Sequence, residues 1–89
     1  MDFRWNEWNV EHVAKHGVRR DEAELVIRQA RRPYPRYQGD DKWLVWGRGQ
    51  GGRFLQVIYV VHDEDSVFVN HARPLTKKEK HRYRRRLKP

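Results

Sequence analysis

A short stretch near the carboxyl end of the chain combines side chains that transfer protons with side chains that neutralise phosphate. The stretch VNHARPLTKKEKHRY contains His71, Arg73 and Tyr83. Histidine has an ordinary pKa of ~6.5, so it serves as a base or an acid near neutral pH. Arginine carries a fixed positive charge in a planar fork that matches a phosphate group. These groups can cut RNA without a metal, when the 2′-OH attacks the adjacent phosphate and leaves a 2′,3′-cyclic phosphate.

We therefore predict a set of catalytic residues that come from different parts of the chain. His71 is the candidate base or acid, and Arg73 and Arg48 are the candidates that stabilise the negative phosphorane. Tyr83 or Tyr59 would position the scissile nucleotide or protonate it. The predicted substrate-binding residues are Lys15, His16, Arg53 and Tyr59. This chemistry requires no metal and no cofactor.

The charge of the chain favours an anionic partner. Its 89 residues include 20 Lys and Arg against 12 Asp and Glu, which gives a formal net charge of +8. That partner is nucleic acid, an acidic protein or an anionic surface. Arginine accounts for 14 of those 20, and this bias favours nucleic acid over a charge that serves only solubility. A soluble basic domain without a nucleic-acid role is the alternative that the composition leaves open.

Several protein classes are disfavoured by what the sequence lacks. It has no cysteine, which excludes disulfides and cysteine metal sites and is compatible with a reducing cytosol. The first ten residues, MDFRWNEWNV, contain no apolar run, so we expect no signal peptide. No stretch approaches the ~20 apolar residues of a membrane span. A cytoplasmic location is therefore expected.

The periodicity of the sequence predicts one α+β domain over residues 1–89, in which helices pack on an antiparallel meander sheet. The predicted order is a strand at 3–5, helices at 7–16 and 21–30, a loop at 33–41, strands at 42–48, 53–62 and 66–73, and a helix from 76 to about 86. The strand at 53–62 is apolar on both faces, so it should lie at the centre of the sheet. Residues from about 84 to 89 are predicted to be a frayed basic tail.

Two spacings in the sequence have a structural as well as a functional explanation. His12 and His16 are spaced as metal ligands on one helix face, but no third ligand follows at a recognisable spacing. A surface pair, or packing of one histidine against Trp8, is therefore favoured. Glu79 follows Thr76 at the spacing of a capping box, which predicts a structural role for this carboxylate.

The sequence leaves two directions open for the His71 side chain. Regular alternation places His71 on the same strand face as Val67, Val69 and Arg73. That face is either part of the core or, at the end of the strand, a rim of the sheet that lies outside the core.

The glycine-rich segment at 47–52 has the letters of a dinucleotide-binding pattern. That pattern requires a helix after it, and here a strand follows, so we predict a hairpin loop.

Three blocks of the sequence, in this order, resemble the BrnT family of bacterial toxins over roughly residues 3–83. They are FRWNEWNVEHVAKHGVRRDEAELVI, the Gly47-Arg48 pair at a strand end, and HARPLTKKEKHRY. The resemblance implies a RelE-like fold and a ribonuclease toxin of a type II toxin–antitoxin pair. It also implies RNA as the substrate, mRNA foremost, and a separately encoded, BrnA-like antitoxin that holds the toxin inactive. His71 stands where the family usually has Ser, and this replacement changes the catalytic inventory.

A binding module of the same fold is the alternative function. Its basic surface would hold nucleic acid or an acidic protein without cutting it. Stacking of unpaired bases on Trp43, Trp46 or Tyr37 would suit RNA, although the tryptophans are also candidates for the core. A homo-oligomer is compatible with either function.

Overall fold

The computed structural model describes residues 1–63 and 65–87, which form one α+β unit as predicted. The elements of this part of the chain are β1 (Asp2–Arg4), α1 (Glu7–Ala14), α2 (Arg20–Arg28), β2 (Arg36–Gly39), β3 (Lys42–Arg48), β4 (Phe54–His62), β5 (Ser66–Pro74) and α3 (Lys77–Arg86). Every predicted helix and strand is present, with ends that differ by no more than two residues. None of the helices in the described residues is long and apolar enough to cross a membrane.

The strands of the described residues form one sheet in the order β1-β5-β4-β3-β2. The strands from β2 to β5 are antiparallel neighbours, and the apolar β4 lies at the centre as predicted. The sheet is nevertheless mixed, because β1 pairs with β5 in parallel. The predicted loop at 33–41 also contains a strand, β2. This strand has the polar sequence RYQG and is largely exposed. It therefore lacks the alternation of apolar and polar residues that would predict a strand.

The two faces of the sheet differ, and the larger core lies on the face covered by α2. Val45, Leu55 and Val57 are fully buried on this side, which we call the core face. The helix approaches the sheet closely at Gly47, where an added Cβ would lie 3.3 Å from Val26 Cγ1. A glycine in β3 therefore lets α2 pack against the strand. The remaining N-terminal helix, α1, packs against β5.

The opposite face carries α3, and we call it the α3 face. Trp46 and Gln56 are cross-strand partners on this face, and the Arg86 guanidinium carbon lies 5.0 Å from the centroid of the Trp46 ring. The buried Tyr83 meets Phe54 edge-on, with 5.7 Å between the ring centroids. The helix therefore covers one end of the α3 face.

The predicted capping box opens α3. Thr76 Oγ1 accepts a hydrogen bond from the Glu79 amide at 3.2 Å, and Glu79 Oε1 accepts one from the Thr76 amide at 2.8 Å. The helix then continues through Arg84–Arg86, so these residues are not a frayed tail. Two of these arginines pack over aromatic rings of the sheet, which holds the last turn in place. The remainder of the predicted tail, residues 88 and 89, lies outside the described residues.

A bulge in β5 decides which way His71 points. The ladder to β4 pairs residue 58 with His71 and residue 59 with Val69, so Asn70 is left over. This extra residue moves His71 and the following Arg73 to the α3 face, while Val69 stays on the core face. The predicted shared face with Arg73 is present. The shared face with Val67 and Val69 was wrong, because alternation assumes that no residue is inserted.

Candidate anion-binding site on the α3 face

Arg73, one of the two arginines predicted to stabilise the phosphorane, is held by a carboxylate. Its Nη1 donates to Glu79 Oε1 at 2.7 Å and its Nη2 donates to Glu79 Oε2 at 2.8 Å. The same guanidinium donates to Gln56 Oε1 at 3.3 Å and to the Pro74 carbonyl at 3.1 Å. The side chains of Arg73 and Glu79 are 28% and 17% exposed. A phosphate would have to displace Glu79 before it could bind both guanidinium nitrogens.

This ion pair changes the acidity of both partners. Hydrogen bonds from Arg73 lower the pKa of Glu79 from 4.5 to about 2, against the opposing effect of burial. The amide and hydroxyl of Thr76 contribute to this lowering. Hydrogen bonding to Glu79 raises the pKa of Arg73 in turn. Glu79 is therefore ionised at physiological pH, where it serves as a structural anion and not as a proton donor.

A buried polar row fixes the position of the Arg73 guanidinium. Gln56 is only 8% exposed, and its Oε1 accepts hydrogen bonds from both Arg73 and Trp46 Nε1, the latter at 3.0 Å. The three side chains lie on neighbouring strands β5, β4 and β3 in register. A satisfied network of this kind holds its members in one arrangement. Arg73 is thereby a positioned structural residue in this state of the chain.

Three arginines converge on a pocket at the end of the α3 face that α3 covers. The pocket has a volume of about 320 Å³, and we call it the arginine pocket. Its wall is formed by Val26, Gln29, Arg31, Gly47, Arg48, Phe54, Tyr83, Arg84 and Leu87. The guanidinium carbons of Arg48 and Arg84 lie 4.8 and 5.4 Å from the centroid of the Phe54 ring.

The arginine pocket has no internal counter-ion in the described part of the chain. No carboxylate is among its described wall residues. Within residues 1–63 and 65–87, none of Arg31, Arg48 and Arg84 forms a salt bridge. Like charges gathered over an apolar floor repel one another, and an anion relieves that repulsion. The pocket therefore favours an anionic ligand.

Two glycines place Arg48 at this pocket. Gly47 and Gly49 lie on either side of it, and an added Cβ at Gly49 would come within 2.9 Å of Leu55 Cδ1. The backbone is thus drawn tightly against the core at these two positions, while Arg48 points to the α3 face. In addition, β2 pairs with β3 only as far as Leu44, so it does not cover the edge of β3 beside the pocket.

Tyr83 contributes a protonated phenol to the wall of the pocket. Burial raises its pKa, and the nearby Tyr34 adds to this effect, whereas Arg31 and Arg48 act in the opposite direction. A phenol that keeps its proton can donate it to a phosphate oxygen or to a leaving group. The structure thus brings together two predicted catalytic residues, Arg48 and Tyr83.

His71 lies elsewhere on the α3 face, beside a histidine of α1. The rings of His71 and His16 meet edge-on, with 5.7 Å between their centroids. Burial lowers the pKa of His71, and the charges of Arg73, His16 and His12 lower it further. At neutral pH His71 is therefore an uncharged imidazole, which can accept a proton but supplies no positive charge.

The predicted catalytic set is divided between two places. His71 pairs with Ile58 of the neighbouring strand β4. Arg48, from the other side, pairs with Phe54, which also belongs to β4. Four residues of a strand span ~13 Å, so the two rows are too far apart to act on one phosphate. His71 and Arg48 can serve successive nucleotides of one RNA strand, but they do not form a single catalytic group.

Two of the predicted substrate-binding residues have structural roles instead. Arg53 Nη2 donates to the buried Glu22 at 2.8 Å and to the Gly17 carbonyl at 2.7 Å, which ties the β3–β4 turn to the start of α2. Tyr59 is 6% exposed on the core face, and burial raises its pKa. Arg53 is thus held by Glu22 although its side chain is 42% exposed, and Tyr59 is buried. Lys15, by contrast, is exposed at the end of α1.

A larger hollow between α1 and α2 is less suited to an anion. It has a volume of about 630 Å³, and its wall combines Arg19 and Arg20 with Asp21 and Glu24. Arg19 Nε already pairs with Asp21 Oδ1 at 3.2 Å. Mixed charges that satisfy one another leave little net attraction for a phosphate.

The histidines spaced as metal ligands do not gather around one point. Within the described ranges, no three His, Asp or Glu side chains are placed to hold a metal ion. His12 instead stacks on Trp8, with 4.4 Å between the ring centroids and 17° between the ring planes. The alternative explanation of this spacing, packing against Trp8, is confirmed.

Arg31 and Arg84 are site residues that the sequence interpretation missed. Arg84 was assigned to a frayed tail, although the capping box at Thr76 fixes the register of α3 and places residue 84 directly after Tyr83 on the covered side. The predicted helix to about residue 86 already contains Arg84, but assigning residues 84–89 to a frayed tail removed it from the candidate site. Arg31 follows α2 in an irregular segment, and its place in the pocket depends on the tertiary fold, for which the sequence carries no local signal.

Comparison with known proteins does not identify the chain. No family model matches it, and no curated protein gives a significant match. The resemblance to BrnT toxins therefore depends on the three sequence blocks alone, and it enters the next section as part of a proposal.

Proposed function

We propose that this chain is a metal-independent endoribonuclease with a RelE-like fold, the toxin of a BrnT-like type II toxin–antitoxin pair. Its substrate is RNA, mRNA foremost, and its place of action is the cytoplasm. One observation carries the proposal. Three guanidinium groups and a phenol line one pocket, and no carboxylate lies among the described residues of its wall. The net charge of +8 supports an RNA ligand as well.

In the proposed reaction the scissile phosphate occupies the arginine pocket. The 2′-OH attacks the phosphorus, its proton passes to water, and the bond from phosphorus to the 5′-oxygen breaks. Arg48 and Arg84 stabilise the negative charge of the phosphorane, which for a fixed donor contributes ~10²–10³ in rate. Tyr83 gives its proton to the departing 5′-oxygen and regains one from water. The products are a 2′,3′-cyclic phosphate and a free 5′-OH.

The remaining predicted residues take supporting roles in this proposal. Arg73 is occupied by Glu79, so it holds the start of α3 against the sheet. His71 lies ~13 Å along the strand from the pocket and contacts a neighbouring nucleotide through an uncharged imidazole. The exposed Lys15 adds positive charge at the end of α1, next to His16.

Binding without cleavage is the second candidate function, and one observation favours it. The described wall of the arginine pocket contains no histidine and no carboxylate that could accept the proton of the 2′-OH. A pocket of this kind binds a phosphate well. It accelerates cleavage of the phosphorus–oxygen bond only by stabilising negative charge and by donating a proton. The basic module without catalysis is therefore the function that replaces the first if RNA is bound but left intact.

The test is incubation of the purified, antitoxin-free chain with single-stranded RNA in EDTA. We expect fragments that end in a 2′,3′-cyclic phosphate and begin with a 5′-OH. Tyr83→Phe removes one hydroxyl and keeps the ring that packs on Phe54, and it should slow cleavage by on the order of 10²-fold. Intact RNA with a folded, RNA-binding chain would reject the enzyme and support the binding module. A Tyr83→Phe variant of full activity would reject Tyr83 as the acid.

A further inference from the structure

The part of the α3 face that lies beyond α3 is apolar and partly exposed. Leu44 and Ile58 are cross-strand partners there, and so are Val60 and Phe68. Each of these four side chains keeps part of its surface exposed, and we call them the open strip. Trp8 of α1 is 53% exposed and stacks on Phe68 with 6.0 Å between the ring centroids. Apolar surface therefore continues from the sheet onto α1.

Both sides of the open strip end in basic residues or a histidine. Cross-strand partners project from the same face of a sheet, so each row of partners can be read across the strands. One row reads Arg36, Leu44, Ile58 and His71, and the next reads Lys42, Val60, Phe68 and Arg4. The three Lys and Arg side chains of these rows are exposed. Among them, Arg4 pairs with Asp2 at 3.0 Å, which leaves Arg36 and Lys42 as the stronger attraction for an acid.

We propose that the open strip binds an amphipathic segment of a second protein, with apolar side chains flanked by Asp and Glu. The apolar centre requires an apolar face on the partner, and the exposed Arg36 and Lys42, which both lie on the β2–β3 side of the strip, require acids along that side. The spacing suits a helix, because one helical turn rises ~5.4 Å and neighbouring rows of a strand face lie ~6.6 Å apart. Side chains at i and i+4 of such a helix can therefore meet successive rows.

Other occupants fit the open strip less well. Three of its four side chains are aliphatic, and its one ring, Phe68, already stacks on Trp8, so the strip is a poor surface for stacking RNA bases. A second copy of this chain would bring basic flanks against basic flanks, at a net charge of +8 on each molecule. The inference stands on the open strip and its flanks, and the cleavage chemistry proposed above plays no part in it. A chain that leaves RNA intact in EDTA therefore does not contradict it.

The probe is a library of random 20-residue peptides displayed on phage, selected against the full chain. Enriched peptides should carry apolar residues at helical spacing and an excess of Asp and Glu. Ile58→Glu places a carboxylate in the centre of the open strip and should weaken their binding by on the order of tenfold or more. Val61→Glu is the matched control, since Val61 is 38% exposed on the same strand and the opposite face. Lys42→Glu should weaken binding without altering the apolar centre.

Each alternative result overturns the proposal. Enriched peptides that are neither acidic nor amphipathic would reject the assigned partner chemistry, and equal losses in Ile58→Glu and Val61→Glu would reject the assigned surface. A dimer that Ile58→Glu dissociates would assign the open strip to a second copy of the chain. Loss of binding to RNA, or to phosphatidylserine vesicles, in the same variant would assign it to those ligands. Thermal unfolding checks each variant, and the exposed Lys42→Glu keeps the test decisive if Ile58→Glu does not fold.

Discussion

Arg73 and Arg48 project from the same face of the same sheet, yet only Arg73 has its charge neutralised by a carboxylate within the described residues. Arg73 meets both oxygens of Glu79. Arg48 lies over Phe54, with the second guanidinium of Arg84 over the same ring. Residue type alone predicts the same role for both arginines, which is stabilisation of the phosphorane. Their surroundings differ, because Arg73 is paired with a carboxylate and Arg48 lies beside a second guanidinium.

The difference between the two arginines originates in α3. Its first turn contains Glu79, which the capping box with Thr76 fixes in place, so a carboxylate always stands beside Arg73. Its last turn contains only basic residues, Arg84–Arg86, which suits the negative end of the helix dipole. Arg48 faces this basic end. A single helix therefore neutralises one arginine of the sheet and adds further positive charge beside the other.

The largest expected effect is on the rate of cleavage. Arg48→Ala should lower the single-turnover rate at saturating enzyme by ~10²–10³, because it removes a fixed charge from the phosphorane. The free energy of unfolding should change by no more than ~0.5 kcal/mol, since Arg48 is exposed and forms no salt bridge with the described residues. Rapid-quench kinetics and thermal unfolding of the same samples measure the two quantities.

Arg85→Ala is the matched control for this rate. Arg85 lies in the same turn of α3 as Arg84 but outside the arginine pocket, so its loss should leave the chemical step unchanged. Arg73→Ala is the informative comparison. A folded Arg73→Ala variant that loses more activity than Arg48→Ala would show that Arg73 leaves Glu79 when RNA binds, and the division between the two arginines would be wrong.

The next effect concerns stability, and it belongs to Arg73 alone. Arg73→Met keeps much of the side-chain volume but leaves Glu79 without its partner, which should cost about 1–3 kcal/mol in the free energy of unfolding. Glu79→Gln in the same chain should recover part of that loss, because it removes the unpaired charge. Urea unfolding of the four chains of this double-mutant cycle gives the coupling energy.

The pH dependence of that coupling has a definite sign. The pKa of Glu79 is held at about 2 in the folded chain, below its ordinary value of 4.5. The stabilisation is therefore complete above pH 4.5 and is lost as the pH falls toward 2. A coupling energy that stays constant between neutral pH and pH 3 would contradict the assigned pair.

The sequence was sufficient to predict most of the fold because its apolar residues follow helical and strand spacings closely. β4 reads as a continuous apolar run and lies at the centre of the sheet, and Thr76 and Glu79 form the capping box that their spacing predicts. β2 was missed because it is polar and exposed. The parallel pairing of β1 was missed because it joins residues more than sixty positions apart, for which no local pattern exists.

The site was less predictable, since it depends on events that local pattern does not show. The bulge at Asn70 turns the His71 side chain to the opposite face of the sheet. A prediction from regular alternation cannot detect such an inserted residue. Glu79 was correctly assigned to the helix cap, but its second role, neutralising Arg73, requires the contact between α3 and β5. Arg48 was selected for its place at a strand end. Its partner Arg84 was overlooked because a run of arginines at a chain end resembles a solvated tail.

The smallest expected effect is on the salt dependence of RNA binding. Each phosphate contact with single-stranded RNA contributes ~0.7 to the slope of log affinity against log salt concentration. Arg48→Ala should lower the slope by about that amount, because it removes one contact in the arginine pocket. Arg73→Met should leave the slope unchanged, because Glu79 already neutralises the native guanidinium. Anisotropy of a labelled 2′-O-methyl RNA, which lacks the attacking hydroxyl, measures binding without cleavage. A slope that falls equally in both variants would mean that the RNA competes with Glu79 for Arg73, and the two arginines would then form one continuous phosphate track.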